Sequence, residues 1–344
     1  MTVQKVGIVG FGWVAGAHLT SFTELSDFEP VAIMTRRDLD PADIKAQYGI
    51  DVRIYNDYDQ FLKDPDIDIV DICTPHPYHA EQTVKAANAQ KNLIIEKPIA
   101  LSFDDARAML KAVEINDVRT SVCFEVRFIS VAQAMKSIID QGLIGEVYYA
   151  ECDYYHGIGP WYKQFEWNVK KDMGGSSLLT AGCHALDTLL WLTGGSVEEV
   201  VTYATKNPNE LFAPYEYDTT TVTLMKFNDS PLVAKVASVT DCIQPYFFNM
   251  HIVGSLGSIK NDRWFSRKIE GMQGWSTLDV QLVDSGDVAH HPYSDQFKYY
   301  ASCLARNEDP HNNLKSAVET HRVVFAADKS ADIGKPVDLS DFEL

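Results

Sequence analysis

Apolar residues in the first third of the chain follow two alternating patterns. Short runs rich in Val and Ile, typical of buried strands, occur at 5–10, 30–34, 68–74 and 92–98. Segments with helical periodicity separate them, at 14–25, 41–48, 79–90 and 103–116. Because parallel strands need crossover connections, this alternation predicts a doubly wound parallel sheet with helices on both faces.

The pattern changes after residue 123. Longer alternating segments predict antiparallel strands at 147–155, 217–227, 232–239 and 247–253. Helical periodicity returns at 130–141, at 176–193 and from 293 onward. The sequence thus predicts an α/β protein of two domains, 1–123 with the parallel sheet and 124–344 with an α+β fold around a large, mostly antiparallel sheet. A face of that second sheet left free of helices would favour self-association.

Composition limits the possible partners. The 344 residues carry 48 acidic and 30 basic side chains, a net charge of -18, which disfavours binding to nucleic acid and to anionic membranes. The six cysteines form no CxxC pair, as is usual in a reducing cytosol. The N-terminus lacks the features of a secretion signal, and no apolar run reaches the roughly 18 residues of a membrane-spanning helix. We therefore expect a cytoplasmic protein.

A glycine-rich element follows the first predicted strand. Gly10, Gly12 and Ala15 form a GxGxxA pattern between the strand and a helix. In this pattern the first glycine permits a tight turn, the second lets backbone amides approach a pyrophosphate, and the small third residue allows close packing. The helix N-terminus then faces the anion. The alternative is a strand-to-helix turn without a ligand, but the series of strand-helix units that follows favours a dinucleotide site.

The second strand ends in Thr35, Arg36 and Arg37. Sites specific for NAD usually carry Asp or Glu here, to accept hydrogen bonds from the ribose hydroxyls. Two guanidinium groups favour a ribose 2′-phosphate instead, and so NADP over NAD. The alternative is that both arginines are solvated and pair with Asp38 or Asp40.

The predicted strands at 68–74 and 92–98 end at the carboxyl edge of the sheet, where ligands bind in open α/β folds. They continue into CTPHPYHAE (73–81) and LIIEKP (93–98). These stretches resemble the glucose-fructose oxidoreductase, inositol dehydrogenase and MocA (Gfo/Idh/MocA) family, whose signature is the Glu-Lys-Pro triplet. The resemblance continues through FEVRF (124–128), QGLIGEV (141–147) and GGSSLLTAGCHALD (174–187), and so spans nearly the whole chain.

The resemblance implies a Rossmann domain followed by a domain with an open sheet, a nicotinamide cofactor, sugar or cyclitol substrates and a homodimer or homotetramer. It also implies that Lys97 lies beside the nicotinamide and the substrate hydroxyl. The expected cofactor-binding residues are Gly10, Phe11, Gly12, Trp13, Val14, Ala15, Thr35, Arg36, Arg37, Cys73, Thr74, Pro75, His76, His79, Glu96, Lys97 and Arg127. The expected substrate-binding residues are Lys97, Arg127, Tyr155, Trp167, Thr180 and His184.

Lys97 and His184 are the expected catalytic residues. Oxidation of a secondary alcohol needs a group that takes the hydroxyl proton, and reduction needs one that returns it; a partly desolvated lysine suits this role. The alternative is that Lys97 only pairs with Glu96 or lies in solvent. Helical spacing places His184 on one face with Thr180 and Asp187, where it can exchange a proton, although a core or capping role is the alternative.

The family resemblance fails at Thr180, where many sugar and inositol dehydrogenases have Asp. Threonine cannot act as a general base, so this difference affects both the proton relay and the choice of substrate. Further residues on segments near the expected cleft carry rings or hydrogen-bonding groups that suit a sugar, although such residues are more often part of the core. They are His156, Trp161, Tyr162 and Lys171. We expect no metal, because neither the cysteines nor the adjacent His290 and His291 have ligand spacing.

Three functions follow from this reading. The first is an NAD(P)-dependent oxidoreductase that transfers a hydride between nicotinamide and a sugar, cyclitol or related polyol or keto-sugar. The second is a redox-neutral glycoside-cleaving or epimerising enzyme that retains its cofactor. The third is a non-catalytic protein that senses NAD(P), which Lys97 and His184 argue against.

Overall fold

A computed structural model describes residues 3–284 and 286–343. The contacts divide the chain into two compact units. The first unit comprises Met1–Glu125 and His291–Val318, and the second comprises Val126–His290 and Glu319–Leu344. Residues 291–318 thus return to the first unit, which the pattern along the sequence does not indicate.

Strands and helices are numbered along the chain. The strands are β1 (Gln4–Val9), β2 (Phe28–Met34), β3 (Arg53–Tyr55), β4 (Ile69–Ile72), β5 (Asn92–Ile95), β6 (Thr120–Val122), β7 (Val147–Tyr155), β8 (Val197–Thr205), β9 (Thr220–Phe227), β10 (Val233–Val239), β11 (Phe247–Gly254), β12 (Gly257–Lys260), β13 (Arg263–Ser266), β14 (Ser276–Thr277) and β15 (Val337–Asp338). The helices are α1 (Trp13–Glu24), α2 (Pro41–Tyr48), α3 (Tyr58–Leu62), α4 (His79–Asn88), α5 (Phe103–Asn116), α6 (Ser130–Asp140), α7 (Phe165–Asn168), α8 (Lys171–Gly174), α9 (Cys183–Thr193), α10 (Tyr293–Arg306) and α11 (Leu314–Ile333).

The sheet of the first unit is parallel, with the strand order β3-β2-β1-β4-β5-β6. Its central strands are buried on both faces; all four residues of β4 are buried. Strands buried along their whole length are typical of a parallel sheet covered by helices. The order reverses between β1 and β4, and in this fold the crevice at such a reversal is where ligands bind. The predicted doubly wound sheet is confirmed.

The core on one side of this sheet joins α1 to α10. Phe22 stacks on Phe297 with ring centroids 4.4 Å apart, and Phe28 lies 5.2 Å from Phe22. These rings, together with Leu19 and Tyr300, are almost entirely buried. Burying an aromatic or aliphatic side chain stabilises the fold by about 1.5–3 kcal/mol. Apolar burial therefore holds α10 in the first unit.

The second unit has a nine-stranded mixed sheet in the order β14-β13-β12-β11-β7-β10-β9-β8-β15. The pair β10–β7 is parallel and the other pairs are antiparallel, so the predicted mostly antiparallel sheet is confirmed. Burial alternates strictly along β9, as expected for a strand with one face packed and one face in water. The strand β8 and the short strands β12–β15 were not predicted. None of the described helices is both long and apolar enough to cross a membrane.

The predicted helix over 176–193 is interrupted. Residues Leu178–Gly182 form a π-helical turn, and the regular helix α9 begins only at Cys183. Gly182 lies so close to β10 that an added Cβ would be 2.5 Å from the Cβ of Ser238. The expectation of one continuous α-helix was wrong, because close packing on the sheet shifts the helical register at this point. Turns of this kind are frequent at functional sites.

Candidate active site

The turn between β1 and α1 has the form of an anion-binding site. Gly10 has φ +86°, and a Cβ there would lie 3.0 Å from the carbonyl oxygen of Cys73 and from Thr74 Cγ2. No atom lies within 4 Å of the Cβ position of Gly12. The first turn of α1 has no side-chain cap and no acidic residue, and Ala15 is fully buried. Open space in front of uncapped helical amides fits a pyrophosphate, so these residues fit a dinucleotide.

Phe11, Trp13 and Val14, the other predicted residues of this turn, are all half-buried. Phe11 packs edge-on against Tyr48 of α2, with ring centroids 6.4 Å apart. The backbone of the turn therefore remains accessible while its larger side chains pack on neighbouring elements.

Two exposed arginines follow β2. The hydroxyl of Thr35 accepts a hydrogen bond from the Arg37 amide at 3.1 Å, which fixes the backbone of the turn. The Arg36 guanidinium lies 5.5 Å from the ring centroid of Tyr78, in a cation–π contact. Neither arginine forms an ion pair with a described residue, and Asp40 instead caps α2 by accepting from the Ala42 amide at 2.8 Å.

His79 links the loops after β4 and β5. Its Nδ1 lies 2.8 Å from the carbonyl oxygen of Pro98, and its Nε2 lies 2.6 Å from that of Thr74. Burial lowers the pKa of His79, whose ring is fully buried. Cys73 and Pro75 are half-buried, and His76 packs its ring 5.9 Å from that of His79. The structure thus brings these predicted residues together at one edge of the sheet.

Glu96 and Lys97 follow β5 at the same edge. Glu96 is buried, and its Oε2 accepts a hydrogen bond from the Lys97 amide at 3.1 Å. Its Oε1 accepts from the Tyr293 hydroxyl at 3.2 Å. Lys97 is half-buried, and the peptide bond between Lys97 and Pro98 is cis. The lysine therefore lies on a turn whose backbone is tied to a buried carboxylate.

His18 on α1 is a residue of this region that the sequence analysis missed. Its Nε2 lies 3.1 Å from Glu96 Oε1, and its Nδ1 lies 3.0 and 3.1 Å from the two oxygens of Asp71 on β4. Burial acts to lower the pKa of His18, but the two carboxylates outweigh it and raise the pKa to about 10. The same contacts lower the pKa of Glu96 to about 2 although burial acts to raise it. The available signal was the acidic Asp71 within the otherwise apolar strand β4.

Among the described residues, two groups of potential metal ligands share this histidine. They are His18 with Asp71 and Cys73, and His18 with Glu96 and Cys123, each with donor atoms within 4.8 Å of one another. Spacing along the sequence cannot reveal them, because their members come from different strands and a helix. Both groups need a nitrogen of His18 that already faces a carboxylate oxygen at hydrogen-bonding distance. Hydrogen bonds to a cationic imidazole account for this arrangement.

In the second unit, His184 is buried next to β7. Its ring stacks on that of Tyr154, with centroids 6.2 Å apart and an interplanar angle of 19°. Tyr154 was not among the predicted residues, whereas its neighbour Tyr155 was. Because side chains alternate along a strand, Tyr155 lies on the opposite face, where its ring centroid is 6.0 Å from that of Phe247. The period-two pattern of buried Ala150, Cys152 and Tyr154 was the signal for the correct face.

The two residues that helical spacing had placed beside His184 have hydrogen-bond partners on other elements. The hydroxyl of Thr180 accepts a hydrogen bond from the Asn168 side-chain amide at 3.0 Å. Asp187 forms a buried bidentate pair with Arg127, at 2.5 and 2.6 Å, and accepts from Thr320 at 3.0 Å. Thr180 and Asp187 are thus each engaged by a residue from elsewhere in the second unit.

A cavity of about 570 Å³ in the second unit is lined in part by aromatic side chains. Its lining includes His156, Trp161 and Tyr246. The ring centroids of His156 and Tyr246 are 5.5 Å apart, and that of Tyr154 lies 5.6 Å from Tyr246. The ring stacked on His184 is therefore in contact with the cavity wall. Tyr162 packs edge-on against His156 at 5.5 Å, Trp167 is half-buried, and Lys171 is exposed.

Comparison with known families gives two matches. Residues 4–124 match a model described as an oxidoreductase family with an NAD-binding Rossmann fold. Residues 132–260 match the GFO/IDH/MocA C-terminal domain. The two matched regions cover most of the chain and contain Lys97 and His184.

Individual proteins are similar over the full length. The oxidoreductase YrbE of Bacillus subtilis is 25% identical, over 100% of this chain and 99% of that protein. D-apiose dehydrogenase of Rhizobium rhizogenes is 24% identical, with 98% of each chain covered. The crystal structure of scyllo-inositol dehydrogenase from Lactobacillus casei with NAD(H) and scyllo-inositol is 18% identical, has a TM-score of 0.81 and covers 98% of this chain and 100% of that one. At this identity the structural likeness concerns the fold.

The pair formed by Arg127 and Asp187 gives a stability prediction. We expect Arg127→Met to destabilise the protein by about 3–5 kcal/mol, because it leaves a buried carboxylate without its partner. The double variant Arg127→Met with Asp187→Leu removes both charges and is expected to recover most of the loss. Denaturant unfolding of the two variants and of Asp187→Leu measures the coupling. Equal destabilisation by the single and the double variant would contradict the ion-pair interpretation.

Proposed function

Because the chain belongs to the Gfo/Idh/MocA oxidoreductase family, whose N-terminal domain is an NAD-binding Rossmann fold, we propose that it is a dehydrogenase acting on a carbohydrate-like polyol or its keto form. The observation that carries the proposal is the position of Lys97. It follows β5 at the carboxyl edge of the same parallel sheet that presents the Gly10–Gly12 turn after β1.

The reaction removes a hydride and a proton from a secondary alcohol, or adds both to a ketone. The nicotinamide, when bound, accepts or supplies the hydride at C4. The Lys97 amine takes the hydroxyl proton during oxidation and returns it during reduction. A side chain placed for this transfer typically contributes about 10²–10⁴-fold to the rate.

We propose that His184 exchanges a proton with the substrate as well. Imidazole suits this role near neutral pH. Thr180 has no group that ionises in this range, and its hydroxyl is bonded to Asn168, so it does not replace the family's aspartate as a base. Lys97 therefore carries the main acid–base role in this chain.

The cavity whose lining includes His156, Trp161 and Tyr246 supports a carbohydrate as the substrate. The apolar faces of sugar rings pack on aromatic side chains, while hydroxyl groups need hydrogen-bonding partners at the edge. Trp161 suits such packing because it is 59% exposed and its indole is held by a 2.8 Å hydrogen bond to the carbonyl oxygen of Gly157. His156 and Tyr246 add polar atoms to the same wall.

The end of β2 supports NADP as the preferred cofactor. Thr35, Arg36 and Arg37 offer a hydroxyl and two exposed guanidinium groups and no carboxylate. A guanidinium binds phosphate with two parallel hydrogen bonds, whereas an acidic side chain at this place would repel it. The arginines have no ion-pair partner among the described residues that would compete for this role.

The second sheet supports a homo-oligomer. Large apolar side chains are exposed on one face of this sheet, with Tyr203 on β8 74% exposed, Leu224 on the neighbouring β9 45% and Phe247 on β11 46%. Tyr203 is paired with Val222 across β8 and β9, so both side chains lie on this face. Large apolar side chains exposed on one face of a sheet are typical of an interaction surface, and a second copy of the chain would cover them.

Replacing Lys97 tests the proposed reaction. Lys97→Ala is expected to lower kcat by about 10²–10⁴-fold with polyols or keto-sugars, because the proton-transfer group is lost. Dinucleotide affinity should change little. The exposed Lys111→Ala on α5 is the control and should keep full activity. The assay follows reduced cofactor by absorbance across a panel of substrates, and product formation without net cofactor change would favour the redox-neutral alternative.

Charge reversal at β2 tests the cofactor preference. We expect wild-type protein to bind NADPH more tightly than NADH in a fluorescence titration. Arg36→Asp with Arg37→Asp should weaken NADPH binding at least tenfold and affect NADH much less, because the 2′-phosphate loses both cations. Arg107→Asp with Lys111→Asp, both on the exposed surface of α5, provides the matched charge change. Equal loss for both cofactors would contradict the assignment.

Charges on the apolar face test the oligomer. Tyr203→Asp with Leu224→Asp is expected to shift the protein toward the monomer in light scattering coupled to size exclusion. Ile115→Asp, which alters a side chain that is 70% exposed on α5, should leave the molar mass unchanged. A monomeric wild-type protein would contradict the proposal.

A further inference from the structure

We infer that His18 is the positioning residue for Lys97: a buried imidazolium that fixes Glu96 and, through it, the turn that carries the lysine. The inference rests on the proposed function for the role of Lys97. It assigns to α1 a second task besides presenting its N-terminus to the dinucleotide.

The geometry links three elements of the first unit. His18 projects from α1 and lies 3.0 Å from Asp71 on β4 and 3.1 Å from Glu96 after β5. His18 and Asp71 are 0% exposed, and Glu96 is 6% exposed. A helix and two strand ends are thus held by one side chain that solvent does not reach.

A positive charge on the ring lets it donate to both carboxylates. A neutral imidazole donates a hydrogen bond from only one nitrogen, whereas each nitrogen of His18 faces the oxygen of a carboxylate. Two buried carboxylates also need a cation nearby, because an unpaired buried charge is strongly unfavourable. The raised pKa of His18 and the lowered pKa of Glu96 agree with this charge state.

Packing prevents the charged ring from moving. Its centroid lies 4.2 Å from that of Tyr293 and 5.1 Å from that of Phe297, both on α10. The hydroxyl of Tyr293 also donates to Glu96 Oε1 at 3.2 Å. The imidazolium and the phenol therefore approach the same carboxylate oxygen from two helices.

Glu96 transmits this position to Lys97. Its second oxygen accepts the hydrogen bond from the Lys97 amide at 3.1 Å. Loss of the His18 cation would leave Glu96 without its main hydrogen-bond partner. The turn that carries Lys97 would then no longer be held in place. Because a displacement of about 1 Å at a reacting group can reduce the rate about 100-fold, such a release should appear in kcat. His18 is completely buried, so it acts through Glu96 and does not contact the substrate.

The test replaces His18 by glutamine. His18→Gln is expected to lower kcat about 100-fold, with the substrate KM and the dinucleotide Kd within about threefold of wild type. The matched control is His290→Gln, which makes the same change in an exposed pair with Asp284 and should keep full activity. A lower melting temperature with unchanged kcat would overturn the proposal, because it would show a structural role alone.

A second readout needs no substrate. The rate at which an amine-acylating reagent modifies Lys97, measured by mass spectrometry, should rise severalfold in His18→Gln, while that of Lys111 stays constant. An unchanged rate of Lys97 modification in His18→Gln would overturn the proposal, whether or not the wild-type protein turns over a polyol. Absence of polyol turnover by the wild-type protein would count against the proposed function and not against this inference.

If His18→Gln does not fold, Tyr293→Phe removes a single hydrogen bond from Glu96 and is expected to lower kcat severalfold. Unchanged kcat and Lys97 modification in that variant would overturn the proposal. Elemental analysis of the wild-type protein completes the test, because a stoichiometric transition metal that is lost in His18→Gln would replace the imidazolium interpretation.

Discussion

A parallel sheet must be wound with crossover helices, and this constraint brings the carboxyl ends of all its strands to one edge. In the first unit that edge collects the Gly10–Gly12 turn, the loop that begins at Cys73 and the Glu96–Lys97 turn, although these lie far apart in the sequence. Each of them depends on strand register for its place. The dinucleotide site and the candidate acid–base residue are therefore consequences of one topological fact.

Buried charge adds specificity to this arrangement. Apolar packing tolerates small shifts, whereas an imidazolium between Asp71 and Glu96 has few positions in which both carboxylates are satisfied. The second unit shows the same feature, since Asp187, on the helix that carries His184, forms a buried bidentate pair with Arg127. In both units a charged pair fixes the backbone close to a candidate catalytic side chain.

The fold was largely predictable from the sequence, because buried strands and amphipathic helices differ in period and Gly10 and Gly12 mark the first turn. Contacts that depend on tertiary structure were not predictable from the sequence. His18 meets Asp71 and Glu96 only when the sheet forms, and Tyr154 replaces Tyr155 beside His184 because a strand shows alternate residues to its two faces. The π-helical turn before Cys183 follows from the close approach of Gly182 to β10, which no local pattern encodes.

The central claim is that this chain transfers a hydride between a carbinol carbon and a nicotinamide. The most direct measurement uses a polyol deuterated at its carbinol carbons together with oxidised NADP, and analyses the recovered cofactor by mass spectrometry. The account predicts reduced cofactor that carries deuterium at C4, formed together with the corresponding ketone. Oxidised substrate accompanied by unlabelled reduced cofactor would contradict it.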